Sequence, residues 1–279
     1  MRNRVSLLLT ALAFIALRAI PATAAEPELT VEIGGSVHRF ARTELLASPA
    51  LAEIDVASDV TYRRAMRYRA IPMEKLLSGT DLPRDQILEA VATDGFVATL
   101  PVDLLLHPQA DGAQAYLAIE PPDAPWPKLN GKQVSAGPFY VVWLRPDAAG
   151  VRSEQWPYQV ATIRSADSPA KRWPALGVDP ALAASDPVRA GQTLFVTQCL
   201  PCHRLNGAGS SEVGPDLNRP ENPTEYFRVE ALKRYIRNPA SLRSWANMQM
   251  QGFAADAMSD HEIDLVIAYL QHMAGRKAP

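Results

Sequence analysis

The chain has 279 residues, of which 47% are hydrophobic and 21% charged. That composition is globular, and it excludes a disordered tail, a collagen-like fibre and a polytopic membrane protein. Lys and Arg number 28 against 30 Asp and Glu, a net charge of −2, with no basic excess or Lys/Arg run of the kind nucleic acid requires.

Arg2 and Arg4 precede an apolar run over residues 5–17, and Ala22-Thr23-Ala24 places small residues where a signal peptidase needs them. This order predicts a secretory signal peptide over residues 1–24, cut after Ala24. The other reading is an uncleaved N-terminal anchor. The run is short for a membrane span, and no later stretch is apolar for long enough. Residues 1–24 carry Arg2, Arg4 and Arg18 and no acid, so the mature chain has 25 basic and 30 acidic residues, net −5. The expected location is the periplasm, with no membrane span in the mature form.

Residues 25–164 have the texture of an α+β, mainly β, domain. Residues 29–33 alternate as a strand, Gly34-Gly35 is a hairpin signal, and residues 37–40 form the return strand. Further strands are predicted at residues 60–62, 96–100, 115–119, 139–144 and 158–163. Residues 71–77 and 102–106 are short helical candidates. About 135 residues are enough for a separate core. Trp126, Trp143 and Trp156 read as core and corner residues. Asp94-Gly95 reads as a turn between strands.

Several segments of this region occur in a familiar order: Tyr68-Arg69-Ala70-Ile71-Pro72, Leu76-Leu77, Thr93-Asp94-Gly95-Phe96, Ala115-Tyr116-Leu117-Ala118 and Gly137-Pro138-Phe139. Together they resemble the molybdopterin-binding fold of the sulfite oxidase type. In that family a Cys thiolate binds molybdenum. The chain has only two cysteines, Cys199 and Cys202, and neither lies here. The resemblance therefore implies a retained fold without a working molybdenum site, and molybdopterin is not expected. The region is expected to serve recognition or docking, or to hold a small ligand near Asp94-Gly95-Phe96.

Residues 165–185 contain Pro169, Pro174 and Pro180 around Lys171-Arg172-Trp173, and read as a semi-rigid linker. Trp173 is a candidate anchor to one of the domains.

Cys199-Leu200-Pro201-Cys202-His203 is the c-type haem attachment pattern. Two thiols at this spacing can add to the two vinyl groups of one porphyrin, and the adjacent His can reach the iron. A dithiol redox motif belongs in a βαβ context, and half a zinc site needs two further ligands. Neither accompaniment is visible. His38, His107, His261 and His272 are scattered and have no partner at ligand spacing.

The flanks extend the pattern. Asp186-Pro187 predicts a capped helix start, and a helix to about Gln198 carries Gly191, Leu194 and Phe195 on one face. Gly214-Pro215-Asp216-Leu217 follows the motif. Residues 229–237 are a short helix stopped by Asn238-Pro239. Ser259 and Glu262 form a capping box ahead of a helix striped with Ile263, Val266, Ile267 and Leu270.

In these features residues 186–279 resemble an all-α class I monohaem cytochrome c. The resemblance implies one covalent haem c on Cys199 and Cys202. It implies that Gly191 and Phe195 meet Tyr269 and Leu270 at a helix crossing. It also implies that the Pro215 carbonyl orients the axial His203. The second axial ligand would be a Met before the last helix. Met250, followed by Gln251-Gly252-Phe253, fits best, and Met248 is the alternative. The family often has Pro directly after that Met, where this chain has Gln251. Met258 reads as a packing residue.

The expectation is thus periplasmic one-electron transfer, by a carrier rather than a catalyst. Its partner would be a redox protein such as a periplasmic dehydrogenase or terminal oxidase. The alternatives are a haem-linked molybdopterin-type oxidoreductase that passes substrate electrons to its own haem, and a haem sensor of small gases with a displaceable Met.

Overall fold

The computed structural model describes residues 25–109, 111–246 and 248–277. The leader expected over residues 1–24 lies outside the described residues.

The chain begins with β1 (Glu28–Ile33) and β2 (Ser36–Ala41), joined at Gly34 and Gly35. Both glycines have positive φ, as a tight hairpin with the twist of its strands requires. A helical turn, α1 (Arg42–Leu46), leads to β3 (Ala52–Asp59) and β4 (Arg64–Pro72). Next come α2 (Met73–Leu76), β5 (Ile87–Ala92), β6 (Val97–Pro101) and α3 (Val102–Leu106). Strands β7 (Gln114–Ile119), β8 (Phe139–Leu144) and β9 (Val160–Ala166) complete the region.

The strands form two sheets. One has five strands in the order β2-β1-β9-β5-β6, and the other has four in the order β3-β4-β7-β8. Within the first, β1 runs parallel to β9 and the other neighbours are antiparallel. Leu29, Leu88, Leu100, Leu117, Val141 and Trp143 are among the residues buried in their shared core. The edge strand β6 matters most for function, because its free side meets the second region.

Two local expectations are corrected. Residues 60–62 are the turn between β3 and β4, not a strand. The buried Asp59 carboxylate accepts the backbone N–H groups of Thr61 at 2.9 Å and Tyr62 at 2.7 Å, and this bends the chain. Ile71 lies within β4, which runs to Pro72, instead of opening a helix, and α2 starts only after Pro72. Strands β3, β4 and β5 had no counterpart among the predicted elements.

After β9 come α4 (Pro169–Arg172) and a 3-10 turn, Pro174–Leu176. The helices α5 (Pro187–Gln198), α6 (Pro223–Tyr226), α7 (Val229–Arg237) and α8 (Asp260–Ala274) follow. Helices α5 and α8 cross at Gly191. A Cβ there would lie 2.0 Å from the Leu265 carbonyl oxygen and 2.9 Å from Tyr269 Cβ. Only glycine lets the two backbones approach this closely. Phe195 and Tyr269 then pack with ring centroids 5.3 Å apart.

The segment read as a linker is part of this second core. Leu176 and Val178 are buried in it with Phe195, Val266, Leu270 and Met273. Tyr269 donates its hydroxyl to the Leu176 carbonyl at 2.8 Å, and Gln192 donates to the same carbonyl at 2.9 Å. Trp173 packs against the same core, with the Arg172 guanidinium stacked over its indole.

Candidate haem site

Helix α5 delivers the attachment motif. Asp186 caps its start by accepting Val188 N–H at 2.9 Å, and Pro187 occupies the first turn, where its missing N–H costs nothing. At the other end, Cys199 and Leu200 N–H both bond the Phe195 carbonyl at 2.9 Å. Cys202 and His203 N–H then bond the Cys199 carbonyl, at 3.1 and 2.9 Å. The five motif residues are thereby wound into one tight turn. Both cysteines are free thiols. Burial, reinforced by the Glu154 carboxylate, pushes each thiol up to about 12.

His203 Nδ1 lies 2.9 Å from the Pro215 carbonyl oxygen. A carbonyl only accepts, so Nδ1 carries the proton and Nε2 keeps a free lone pair. Burial lowers the His203 pKa, and the bond to Pro215 opposes that only in part, so the ring is held neutral. A neutral ring oriented through its second nitrogen is the form that binds metal. Gly214 supports it from beneath. A Cβ at Gly214 would lie 2.6 Å from His203 Nδ1 and Cε1, and its N–H donates to the Cys202 carbonyl at 2.7 Å.

The loop that carries Pro215 is fixed by polar residues that motif reading missed. Asp216 accepts the backbone N–H groups of Asn206, Gly207 and Asn218, at 3.1, 2.6 and 2.8 Å. Asn206, Asn218 and Asn222 form a buried amide ladder with 2.8 Å steps. The ladder donates to the Met273 carbonyl at 2.8 Å and the Leu270 carbonyl at 3.0 Å. Those carbonyls lie in the C-terminal part of α8, where Met273 also accepts Arg276 N–H at 2.8 Å. The proximal loop and the end of α8 therefore satisfy each other. The only hint in the sequence is a recurrence of Asn, which carries no spacing signal.

The loop that carries Met248 and Met250 is clamped from Gly252 onward. Gly252 has φ +78°, and a Cβ there would lie 2.6 Å from the Arg237 carbonyl. Arg237 also donates to the Phe253 and Met258 carbonyls, each at 2.6 Å, and pairs with Asp260 at 2.6 Å. Met248 and Met250 precede this clamp, and both are partly buried. Met258 is core, buried with Leu232, Ile236, Ile263 and Ile267.

The strand-rich region closes one side of the attachment turn. Val97 on the free edge of β6 donates its N–H to the Pro201 carbonyl at 3.1 Å, inside the motif itself. Ser211 donates to the Gly95 carbonyl at 3.1 Å. The turn at Asp94-Gly95-Phe96 thus faces the haem motif and is a contact between regions.

Residues 188–274 match the family model for cytochrome c. The C-terminal region is a cytochrome c domain. No curated protein matches the chain. The match brings haem c and haem-mediated electron transfer with it, and a redox protein as partner in general terms. The residues present fit that group. Two free thiols sit one turn apart, a neutral imidazole is oriented through Nδ1, and a glycine stands where any side chain would strike the ring. At the flanks of the motif, Gln198 Nε2 and Oε1 and Arg204 Nε are buried and have no hydrogen-bond partner among the described residues. No helix among the described residues is long and apolar enough to cross a membrane.

Proposed function

We propose that the protein is an exported one-electron carrier of the periplasm, with one haem c on Cys199 and Cys202, iron held by His203 and Met250, and residues 25–164 serving recognition or docking of a redox partner. The observation that carries this reading is the bond between His203 Nδ1 and the Pro215 carbonyl beside two free thiols. When bound, haem supplies a ferric/ferrous couple. Cys199 and Cys202 anchor it covalently, and Pro215 holds the His203 ring in its ligating tautomer. The Met250 thioether is a soft ligand that favours the reduced state and raises the potential. Phe195, Leu200 and Leu270 make the surroundings apolar, which keeps water away from the site. Were His203 and Met250 both to hold the iron, it would have no open place for a substrate, which supports a carrier over a catalyst or a gas sensor.

The test is a redox titration of protein purified from periplasm, with iron and molybdenum measured on the same sample. A single Nernstian step with n = 1, iron near one per chain and no molybdenum is expected. Met250→Ala should abolish the low-spin His/Met spectrum and lower the potential, while Met248→Ala leaves both intact. The reverse pattern would move the ligand to Met248. Molybdenum near one per chain would overturn the carrier reading and favour the haem-linked oxidoreductase.

A further inference from the structure

The strand-rich region occupies one approach to the attachment turn. Val97 on β6 bonds the Pro201 carbonyl between the two cysteines, and Glu89 on β5 accepts the Ser210 hydroxyl in the loop after His203. The stretch ahead of Met248 and Met250 is free of that region. No hydrogen bond or ion pair among the described residues joins residues 226–246 to it.

Residues 226–245 differ from the rest of the chain in charge and in exposure. They hold Arg228, Lys233, Arg234, Arg237 and Arg243 against Glu230, a net +4, where the whole chain has −2. They also expose Tyr226, Val229, Leu242 and Trp245, the last by 51%. The other large apolar side chains exposed among the described residues are single valines of the strand-rich region.

The backbone that presents these groups is fixed. Leu232 and Ile236 bury one face of α7. Lys233 pairs with Asp264 and Arg237 with Asp260, each at 2.6 Å, so both are neutralised within the domain. Arg228, Arg234 and Arg243 are exposed and join no ion pair among the described residues. Beyond α7, the Leu242 and Arg243 N–H groups both bond the Pro239 carbonyl at 3.1 Å. Met248 N–H then bonds the Trp245 carbonyl at 3.3 Å, which ties the exposed indole to the loop of the candidate iron ligands.

We propose that the exposed face of α7 and residues 238–246 form the surface on which a redox protein with an acidic face docks to exchange an electron with the haem. This rests on the haem c reading above. The planar fork of each unpaired Arg matches a carboxylate. Trp245 and Leu242 supply the apolar centre that protein interfaces bury, within a charged rim. Residues outside 226–245 carry a net −6, which sets an extended anionic bilayer against most of the chain and favours a compact acidic protein that meets this face alone.

The test is stopped-flow reduction of the ferric, haem-loaded full chain by flavodoxin hydroquinone, an acidic one-electron donor. The flavin passes from anionic hydroquinone to neutral semiquinone as ferric haem gains one electron, and no proton moves. The second-order rate constant should fall about tenfold between 10 mM and 0.5 M KCl. Arg234→Glu with Arg243→Glu should lower the low-salt rate about tenfold and flatten its salt dependence, and Arg234→Gln with Arg243→Gln about threefold. Trp245→Ala should lower it about threefold at either salt. Arg39→Glu, an exposed change on β2 at the opposite edge of the five-stranded sheet from β6, should change it less than twofold. Every variant should keep the wild-type haem spectrum and reduction potential. A rate indifferent to salt and to both Arg pairs would overturn the proposal and leave the carrier reading standing. Wild-type binding to phosphatidylglycerol vesicles, lost in the double Glu variant while its flavodoxin rate is unchanged, would assign the face to a membrane and also overturn it. A wild-type chain that takes up no covalent haem would overturn both the proposal and the carrier reading.

Discussion

Two carboxylates where the strand-rich region meets the cytochrome domain are held by opposite rules. At Glu89 a carboxylate from the central part of a sheet meets Arg164 from the next strand, Arg172 from α4 and Ser210 from the haem-binding loop. Every lone pair it withdraws from water is answered. At Glu154 a partly buried carboxylate sits on the 3-10 turn Ser153–Gln155, which packs against α5, with the Ser153 hydroxyl at 3.3 Å and no cation paired with it among the described residues. The first arrangement joins the regions, and the second leaves a carboxylate beside α5 without a neutralising cation. Glu89 is buried and Glu154 partly so, and the presence or absence of a cation separates a fastening from an unneutralised charge.

The comparison can be broken by mutation. The largest expected effect is at the fastening. Glu89→Ala leaves Arg164 and Arg172 facing each other without an anion, at a cost of about 3 kcal/mol. Urea denaturation of the haem-loaded chain measures it, and a loss under 1 kcal/mol would show that the pair is not a fastening. The pH dependence of stability sharpens the contrast. Burial pushes the Glu89 carboxyl up, but hydrogen bonds from Arg164 and Ser210 and the charge of Arg172 outweigh it, so its pKa lies below the ordinary 4.5. Its contribution is complete above pH 4.5 and is lost as pH falls below that value. For Glu154, raised from 4.5 to about 7, the fold favours the neutral form. Its contribution is complete below pH 4.5 and is lost as pH rises through 7. Thermal melts from pH 3 to 9 should therefore show Glu89→Gln flattening the acid limb. Glu154→Gln should be stabilising relative to wild type only above pH 4.5, with the gain levelling off beyond 7. Parallel profiles for the two variants would contradict the distinction.

What could be read from the sequence follows the range of the interaction. The attachment turn, the Asp186 and Ser259 caps and the last helix are local spacings, and the structure places them where those spacings put them. Gly191 was legible because a helix crossing demands a residue without a side chain. Strand β5 was not, because Ile87-Leu88-Glu89-Ala90 is buried on both faces and lacks the alternation of a half-exposed strand. Strand β3 has the opposite difficulty, since only Ile54, Val56 and Asp59 of its eight residues point inward. Val60-Thr61-Tyr62 has strand-forming residues, yet one Asp59 side chain turns it. The bonds from the asparagine ladder to α8 and the Glu89 fastening join residues from 48 to 121 positions apart. Periodicity does not report on pairs at that range.

The central claim is that Cys199 and Cys202 hold one haem covalently. Acid–acetone extraction followed by a pyridine haemochrome spectrum of the purified protein tests it most directly. One haem per chain should stay with the protein and show the spectrum of a porphyrin joined through two thioethers, and Cys199→Ala with Cys202→Ala should abolish it. Haem that is extracted completely from the wild-type chain, or a chain that carries none, would contradict the account.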